Sequence, residues 1–399
     1  MSARRSPDRS RHGRKRISRR VEGLSASGIR KFFDLLSTME NVISLGVGEP
    51  DFATPWHISE AAISGIENGY TMYTSNKGMP ELRQELARYL HRRYDLDYDV
   101  DSELLITVGV SEGLDLSMRA LINPRDEVIS PEPTYVAYES CITLAEGVFV
   151  PVPTTVENSF KVRAADIEER ITSRTRAILL GYPHNPTGAV MEKTDLEEIA
   201  ELARRRNLIV ISDEIYDRLV YGIKHTCFAS LPGMKERTVF LGGFSKAYAM
   251  TGWRIGYAAA PAEIIEAMTK IHQYTMMCVP IMAQMAAIEA LKSGGSAVRE
   301  MVADYDRRRR VMVKGLNAIG LTCFEPKGAF YAFPSVAVTG LTSEEFAEKL
   351  LLEEGVAVVP GSAFGQSGEG YVRCCYATAL EDIREALTRM GRFVKRHKA

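Results

Sequence analysis

Long apolar runs are missing from this chain: no stretch approaches the ~18 uninterrupted residues of a membrane-spanning helix, although hydrophobic residues make up 45% of the 399. The expectation is a soluble globular protein with no membrane partner. At ~150 residues per domain the length suggests two or three domains. CxxC pairs are also missing. The six cysteines are scattered from Cys141 to Cys375 and no signal peptide precedes them, so they read as reduced thiols in a cytoplasmic protein. The seven histidines include no HExxH, which argues against a metal site. No GxGxxG occurs, so a dinucleotide is not indicated.

Net charge is almost absent as well, at −1, but only because two unequal parts cancel. Residues 1–20 hold eight arginines and Lys15 against Asp8, a local +8 that leaves −9 for the remainder. A basic, serine-rich segment with so few apolar residues buries too little surface to fold. Residues 1–20 are therefore expected to be a disordered tail. A transit peptide would show an apolar helical face, and a helix-turn-helix would need more chain. No nucleic-acid partner is assigned.

What is present centres on Phe244-Ser245-Lys246-Ala247-Tyr248-Ala249-Met250-Thr251-Gly252-Trp253-Arg254-Ile255-Gly256. Lys246 is flanked by small and apolar residues, and a lysine is rarely buried without a reason. Burial disfavours its cation, lowers its pKa and makes the amine a nucleophile toward aldehydes. Arg254 lies eight residues on, between Gly252 and Gly256, where the backbone can fold tightly enough to aim a planar cation at a phosphate. An amine and a guanidinium so placed suit a ligand with an aldehyde at one end and a phosphate at the other, which is pyridoxal phosphate. Taken alone, Lys246 could equally be a surface lysine before a buried strand.

From Leu104 the pattern alternates between strand and helix. Leu104–Val108 reads as a strand, Gly109-Val110-Ser111-Glu112-Gly113 as a glycine turn, and Leu114–Leu121 as a helix. A turn opening a helix presents free N–H groups to a phosphate. Glu127–Ser130, Ala177–Leu180, Asn207–Ile211, Thr238–Leu241 and Arg254–Ala260 read as further strands. Strands separated by helices imply an α/β fold with a mostly parallel central sheet and a ligand at the strands' carboxyl ends. Several of those ends carry polar residues: Tyr135 after Pro131-Glu132-Pro133, Asn185 within His184-Asn185-Pro186-Thr187-Gly188, and Asp213 and Tyr216 in Ser212-Asp213-Glu214-Ile215-Tyr216. Prolines on the strand side and immediately after Asn185 fix the backbone there. Asp213 and Tyr216, three apart, can face one ligand. Acids at strand ends are also ordinary helix caps.

Two helix signals and one charge run complete the pass. Thr194-Asp195-Leu196-Glu197 and Thr342-Ser343-Glu344-Glu345 both read as capping boxes. Residues from Ile264 to Leu316 read as largely helical, with methionines as core filler. Arg307–Arg310 is expected to be a solvated surface.

The Lys246 segment, the HNPTG string, the GEPDF string at 48–52 and Asp213 with Tyr216 together resemble the class I/II aminotransferases, the fold-type-I pyridoxal enzymes, over roughly residues 20–395. The resemblance implies a large cofactor domain over 51–290, and a smaller α/β domain built from 21–50 and 291–399. It implies that Lys246 binds the cofactor aldehyde and later serves as base, with Asp213 paired to the pyridine nitrogen. At ~4 Å and an effective dielectric of ~20 that attraction is ~4 kcal/mol. Asn185 and Tyr216 would bond the phenolic oxygen, and Tyr135 would stack on the ring. Val110, Ser111, Glu112, Ser245 and Arg254 would hold the phosphate. Gly48 and Arg373 would receive the substrate carboxylate. Tyr73 would reach the phosphate of a neighbouring subunit, which implies a homodimer with shared sites; as a residue alone it is a loop aromatic.

Two departures bear on detail. Gly243 stands where many relatives carry a phosphate-binding serine, and Ser111 where some prokaryotic aspartate enzymes carry a lysine for the distal carboxylate. Lys77 could replace that lysine or could be solvated. The implied activity is ping-pong transfer of an amino group from aspartate or an aromatic amino acid to a 2-oxo acid such as 2-oxoglutarate. A carbon–sulfur lyase on the same scaffold would share all these residues, and a pyridoxal-binding regulator without turnover would share most.

Overall fold

The computed structural model describes residues 17–22, 24 and 41–398. The expected basic tail lies outside the described residues up to position 16, as do residue 23 and the whole stretch 25–40. Among the described residues no helix is long and apolar enough to cross a membrane.

After the short β1 (Ile43–Ser44), the next strands in chain order are β2 (Leu104–Thr107), β3 (Glu127–Glu132), β4 (Val148–Pro153), β5 (Thr175–Leu180), β6 (Ile209–Asp213), β7 (Thr238–Gly243) and β8 (Gly256–Ala259). β2 to β8 form one seven-stranded sheet in the order β2-β8-β7-β6-β5-β3-β4. Only β8 runs antiparallel to its neighbours. The central strands are continuous apolar runs because helices cover both faces of a parallel sheet. Alternate residues feed opposite layers. Leu105, Ile211, Val239 and Leu241 pack on one side, Leu104, Ile106 and Phe240 on the other.

Element boundaries differ from expectation in instructive ways. The helix after β2 begins at Gly109, not Leu114, so the expected glycine turn is already its first turn (Gly109–Leu121). Gly109 enters with φ +73°, and the Glu112 carboxylate accepts the Val108 N–H at 2.5 Å, closing the helix start five residues early. The helix Lys193–Arg205 is capped at Glu192, not Thr194, because the short Asp195 side chain reaches back to the Glu192 N–H at 2.8 Å. The Thr342–Glu345 box holds, with the Glu345 N–H donating to Thr342 Oγ1 at 3.2 Å.

The remaining strands are β9 (Tyr331–Ala332), β10 (Val356–Ala357), β11 (Val359–Pro360) and β12 (Val372–Cys375). β1 pairs parallel with β10, and β12 lies between β11 and β9. The Cys375 N–H donates to Leu45 O at 2.7 Å, so the two ends of the described chain meet beside the large sheet.

The arginine run is a correction. Arg307 and Arg310 are exposed, but Arg308 and Arg309 are buried on the inner face of the helix Gly295–Ala318. Arg308 pairs with Asp51 and Asp304, both at 2.7 Å. Arg309 pairs with Asp306 at 2.7 Å and Glu325 at 2.8 Å. Four consecutive helical positions sample the whole circumference, and here two of them meet acids instead of water.

Candidate active site

A cavity of about 520 Å³ opens where β3, β5, β6 and β7 end. Of the residues expected to share a site, Gly48, Val110, Ser111, Tyr135, Asn185, Asp213, Tyr216, Ser245, Lys246, Arg254 and Arg373 all line it.

Lys246 sits in the turn that leaves β7, anchored by buried Phe244 and Ala247 on either side. Its Nζ donates to Gly48 O at 2.7 Å and lies 5.7 Å from the Phe330 ring centre. Burial lowers its pKa to about 8, and the Arg373 charge pushes the same way. About a tenth of the amine is therefore unprotonated at pH 7, far more than for a lysine in water.

Asp213 is the last residue of β6 and is buried. Burial raises its pKa to about 6, against hydrogen bonds donated by Tyr138 Oη at 2.9 Å and the Ile215 N–H at 3.2 Å. It is thus mostly a carboxylate at neutral pH, and among the described residues no cation is in ion-pair contact with it.

At the opposite end of the cavity, three glycine-dependent contacts shape a cradle. A Cβ on Gly109 would lie 2.7 Å from Arg254 Nη2, and one on Gly256 would lie 2.8 Å from both Gly109 C and Val110 N. A side chain on Gly48 would meet Tyr331 Oη at 2.4 Å. Arg254 adopts φ +52° and donates to Thr251 O at 2.9 Å, which sets its guanidinium against the start of the helix Gly109–Leu121. The unsatisfied N–H groups of that first turn and the guanidinium make an anion seat.

Arg373 comes from β12. Its Nη1 donates to Asn185 Oδ1 at 2.9 Å, and its Nη2 donates to Gly46 O at 2.8 Å. The group rests over the Tyr331 ring at 4.4 Å, and its buried Nε has no partner. A buried guanidinium with an unmet donor is suited to a carboxylate. Tyr216 Oη is hydrogen-bonded to Tyr331 Oη at 2.8 Å.

Two expected residues are not brought to the cavity. Glu112 turns its carboxylate away, to the Val108 N–H and to His272 Nδ1 at 2.7 Å, since a third-position helix side chain folds back over the helix start. Tyr73 is 78% exposed and lines no part of the cavity. Lys77 is also elsewhere, its Nζ donating to Asp101 O at 2.6 Å. Gly48 is in place, but it is its carbonyl, holding Lys246, that the structure shows engaged.

Sequence reasoning missed Tyr138 and Tyr331, which both line the cavity. Tyr138 had one usable signal, its spacing of three from Tyr135 at the start of the helix Ala137–Leu144. Tyr331 had none beyond lying in an aromatic strand.

Fold and cavity together define an α/β enzyme of fold type I, with a buried amine, a buried acid and an anion seat arranged around one ligand. The model of the aminotransferase class I and II family matches residues 40–390. A Bacillus subtilis protein, YugH, is 57% identical, covering 95% of this chain and 98% of its own length. The aspartate aminotransferase of Pyrococcus abyssi is 46% identical, covering 96% of this chain and 99% of its own. The crystal structure of an aromatic aminotransferase from Pyrococcus horikoshii superimposes with a TM-score of 0.88 at 45% identity, over 92% of this chain and 99% of that one. The chain belongs to the class I and II aminotransferase family. It is an amino acid aminotransferase.

Proposed function

We propose that the chain uses pyridoxal 5'-phosphate, which its family employs, to move the amino group of an L-amino acid to a 2-oxo acid. The observation that carries the reading is the buried Lys246 amine, held on Gly48 O in a cavity whose far wall is Asp213 and whose mouth is Arg373. The residues fit the group: the glycine cradle under Arg254 leaves room for a phosphate, and Arg373 Nε still has a donor to offer.

When bound, pyridoxal phosphate supplies an aldehyde carbon to carry the amino group and a protonated ring to receive the electron pair left at the α-carbon. Lys246 Nζ, with its pKa lowered to about 8, takes the proton from the substrate's α-carbon as general base. Asp213 holds negative charge above about pH 6 and so favours a proton on a facing ring nitrogen. Arg373 grips the α-carboxylate in a fork and keeps the α-carbon within reach of Lys246. Asn185 and Tyr216 orient a phenolic oxygen, Tyr135 covers the ring, and Ser111, Ser245, Arg254 and the Val110 N–H fix the phosphate.

A homodimer with shared sites is part of the proposal. Tyr73, Met72, Tyr274 and Met276 are all more than half exposed, and Asn76 ties their two loops together by donating to Met277 O at 2.6 Å. So large an apolar patch needs a cover. We also assign 51–290 to a large domain and 21–50 with 291–399 to a small one, supported by β1 pairing with β10.

Among the described lining residues the cations are Lys246, Arg254 and Arg373, each with a role above. None remains for a distal carboxylate, and Lys77 is tied to Asp101. This favours a donor with an uncharged side chain, an aromatic amino acid over aspartate. Aspartate is the second reading, supported by the name of the Pyrococcus abyssi relative. With 2-oxoglutarate as acceptor and a ping-pong scheme, a panel of donors decides between them.

The test of the cofactor is direct. Incubated with pyridoxal phosphate and reduced with borohydride, the wild type should yield a pyridoxyl label on the peptide containing Lys246, and Lys246→Ala should yield none. A label elsewhere, or a protein that stays colourless, overturns the proposal.

A further inference from the structure

A second cavity, of about 370 Å³, lies between the segment following Tyr216 and the helix Gly295–Ala318, outside the site described above. Three guanidinium groups line it: Arg93, Arg218 and Arg299. Its single lining acid, Asp306, is already paired with Arg309 and Arg310. Arg93 lies 3.6 Å from Asp217, whose carboxylate also accepts from the Tyr89 and Tyr94 hydroxyls. Arg218 and Arg299 make no ion pair among the described residues; Arg218 is half-buried beside the Asp217 charge, and Arg299 is exposed.

Three guanidinium groups stand around one hollow whose single lining acid is already engaged, and like charges so placed repel each other. The arrangement persists at least cost when an anion sits among them. The floor of the cavity is different in character, being formed by Val220, Val298 and Val302. A cationic rim over an apolar floor matches a ligand with a multiply charged head and a small apolar body. A phosphate ester has that shape. Its head carries ≈ −1.5 to −2 charge with three acceptor oxygens, enough to engage several guanidinium forks at once.

We infer that this cavity is a binding site for a small organic phosphate monoester, held by Arg93, Arg218 and Arg299. Arg218 lies two residues after Tyr216, so an occupant of the second cavity touches the segment that carries this active-site hydroxyl.

The test is calorimetric titration of the full chain, saturated with pyridoxal phosphate so that the active-site seat is filled, with phenyl phosphate and with inorganic phosphate. Phenyl phosphate should bind at one site per chain, at least ten-fold more tightly than inorganic phosphate. Arg218→Gln and the exposed Arg299→Gln should each weaken it ten-fold or more, with melting curves showing that both variants fold. No saturable binding, or equal affinity in wild type and both variants, overturns the inference. So does binding that survives Arg299→Gln and is lost in Arg254→Gln, because it then belongs to the active site. Equal affinity for the two phosphates would remove the apolar body from the ligand and with it the assignment to an ester.

Discussion

Replacing Tyr138 by Phe removes one hydroxyl from the protein and shifts the titration of Asp213, the acid proposed to face the cofactor ring. Tyr138 Oη donates to Asp213 Oδ2 at 2.9 Å in a buried setting, and that hydrogen bond opposes the burial that lifts the Asp213 pKa to about 6. A hydrogen bond to a charged group contributes ≈ 1.5–3 kcal/mol, and 1.36 kcal/mol corresponds to one pKa unit. Tyr138→Phe should therefore raise the Asp213 pKa by about one to two units, to about 7–8 in the apoenzyme. Binding of pyridoxal phosphate requires the carboxylate, so protons compete with the cofactor below that pKa. The sign follows: a raised pKa weakens cofactor binding at low pH and leaves it unaffected at high pH. With a shift of 1.5 units, the ratio of variant to wild-type Kd should be about one at about pH 9, about four at about pH 7 and about sixteen at about pH 6. Titration of Lys246 affects both proteins alike and cancels in the ratio. Fluorescence titration of apoenzyme with pyridoxal phosphate across that range measures it. A ratio that stays flat between about pH 6 and about pH 9 would refute the reasoning, because Tyr138 would then be packing and nothing more.

Other substitutions test the remaining parts. Arg373→Lys keeps the charge and loses the planar fork, so KM for the amino donor should rise about 100-fold, as expected for roughly 3 kcal/mol of lost charge-assisted hydrogen bonding; steady-state kinetics in which kcat alone falls would point to another role. Gly256→Ala forces a methyl to within 2.8 Å of backbone at Gly109 and Val110. It should destabilise by about 1–3 kcal/mol and loosen the phosphate seat, read as a lower Tm together with weaker cofactor binding; an unchanged Tm would contradict the close approach. Arg308→Met leaves the partly exposed Asp51 without its partner while Asp304 keeps Arg307, and should destabilise by about 1–3 kcal/mol in denaturant titrations, with Asp51→Asn in the same chain recovering part of the loss. No recovery would mean that the Asp51 pair is not what Arg308 contributes.

The residues that could be read from the chain share one property: each lies at a place where local chemistry punctuates a strand. Lys246 follows a run of buried strand residues and precedes glycines, Asn185 has a proline immediately after it, and Asp213 ends an apolar run. Strand-end position is a local fact in a parallel sheet, and the sheet then brings all such ends to one edge without further information. The misreadings share the opposite property, since each depends on a partner far away in sequence. Arg308 looks like its exposed neighbours until Asp51, 257 positions distant, is placed against it. Tyr138 gains its meaning from Asp213, 75 residues on. Glu112 shows the same dependence at short range. The chain reads as starting its helix at Leu114, but the start is set by Gly109 at φ +73° and by Gly256 pressing on that turn from β8. Once the start moves to Gly109, the Glu112 carboxylate is committed to the Val108 N–H and to His272, which leaves the backbone and Ser111 of that turn to face an anion. The anion seat is therefore a property of glycines at 109 and 256 more than of any charged side chain in the turn. This is why a seat without the serine that many relatives carry at the position of Gly243 can still be complete.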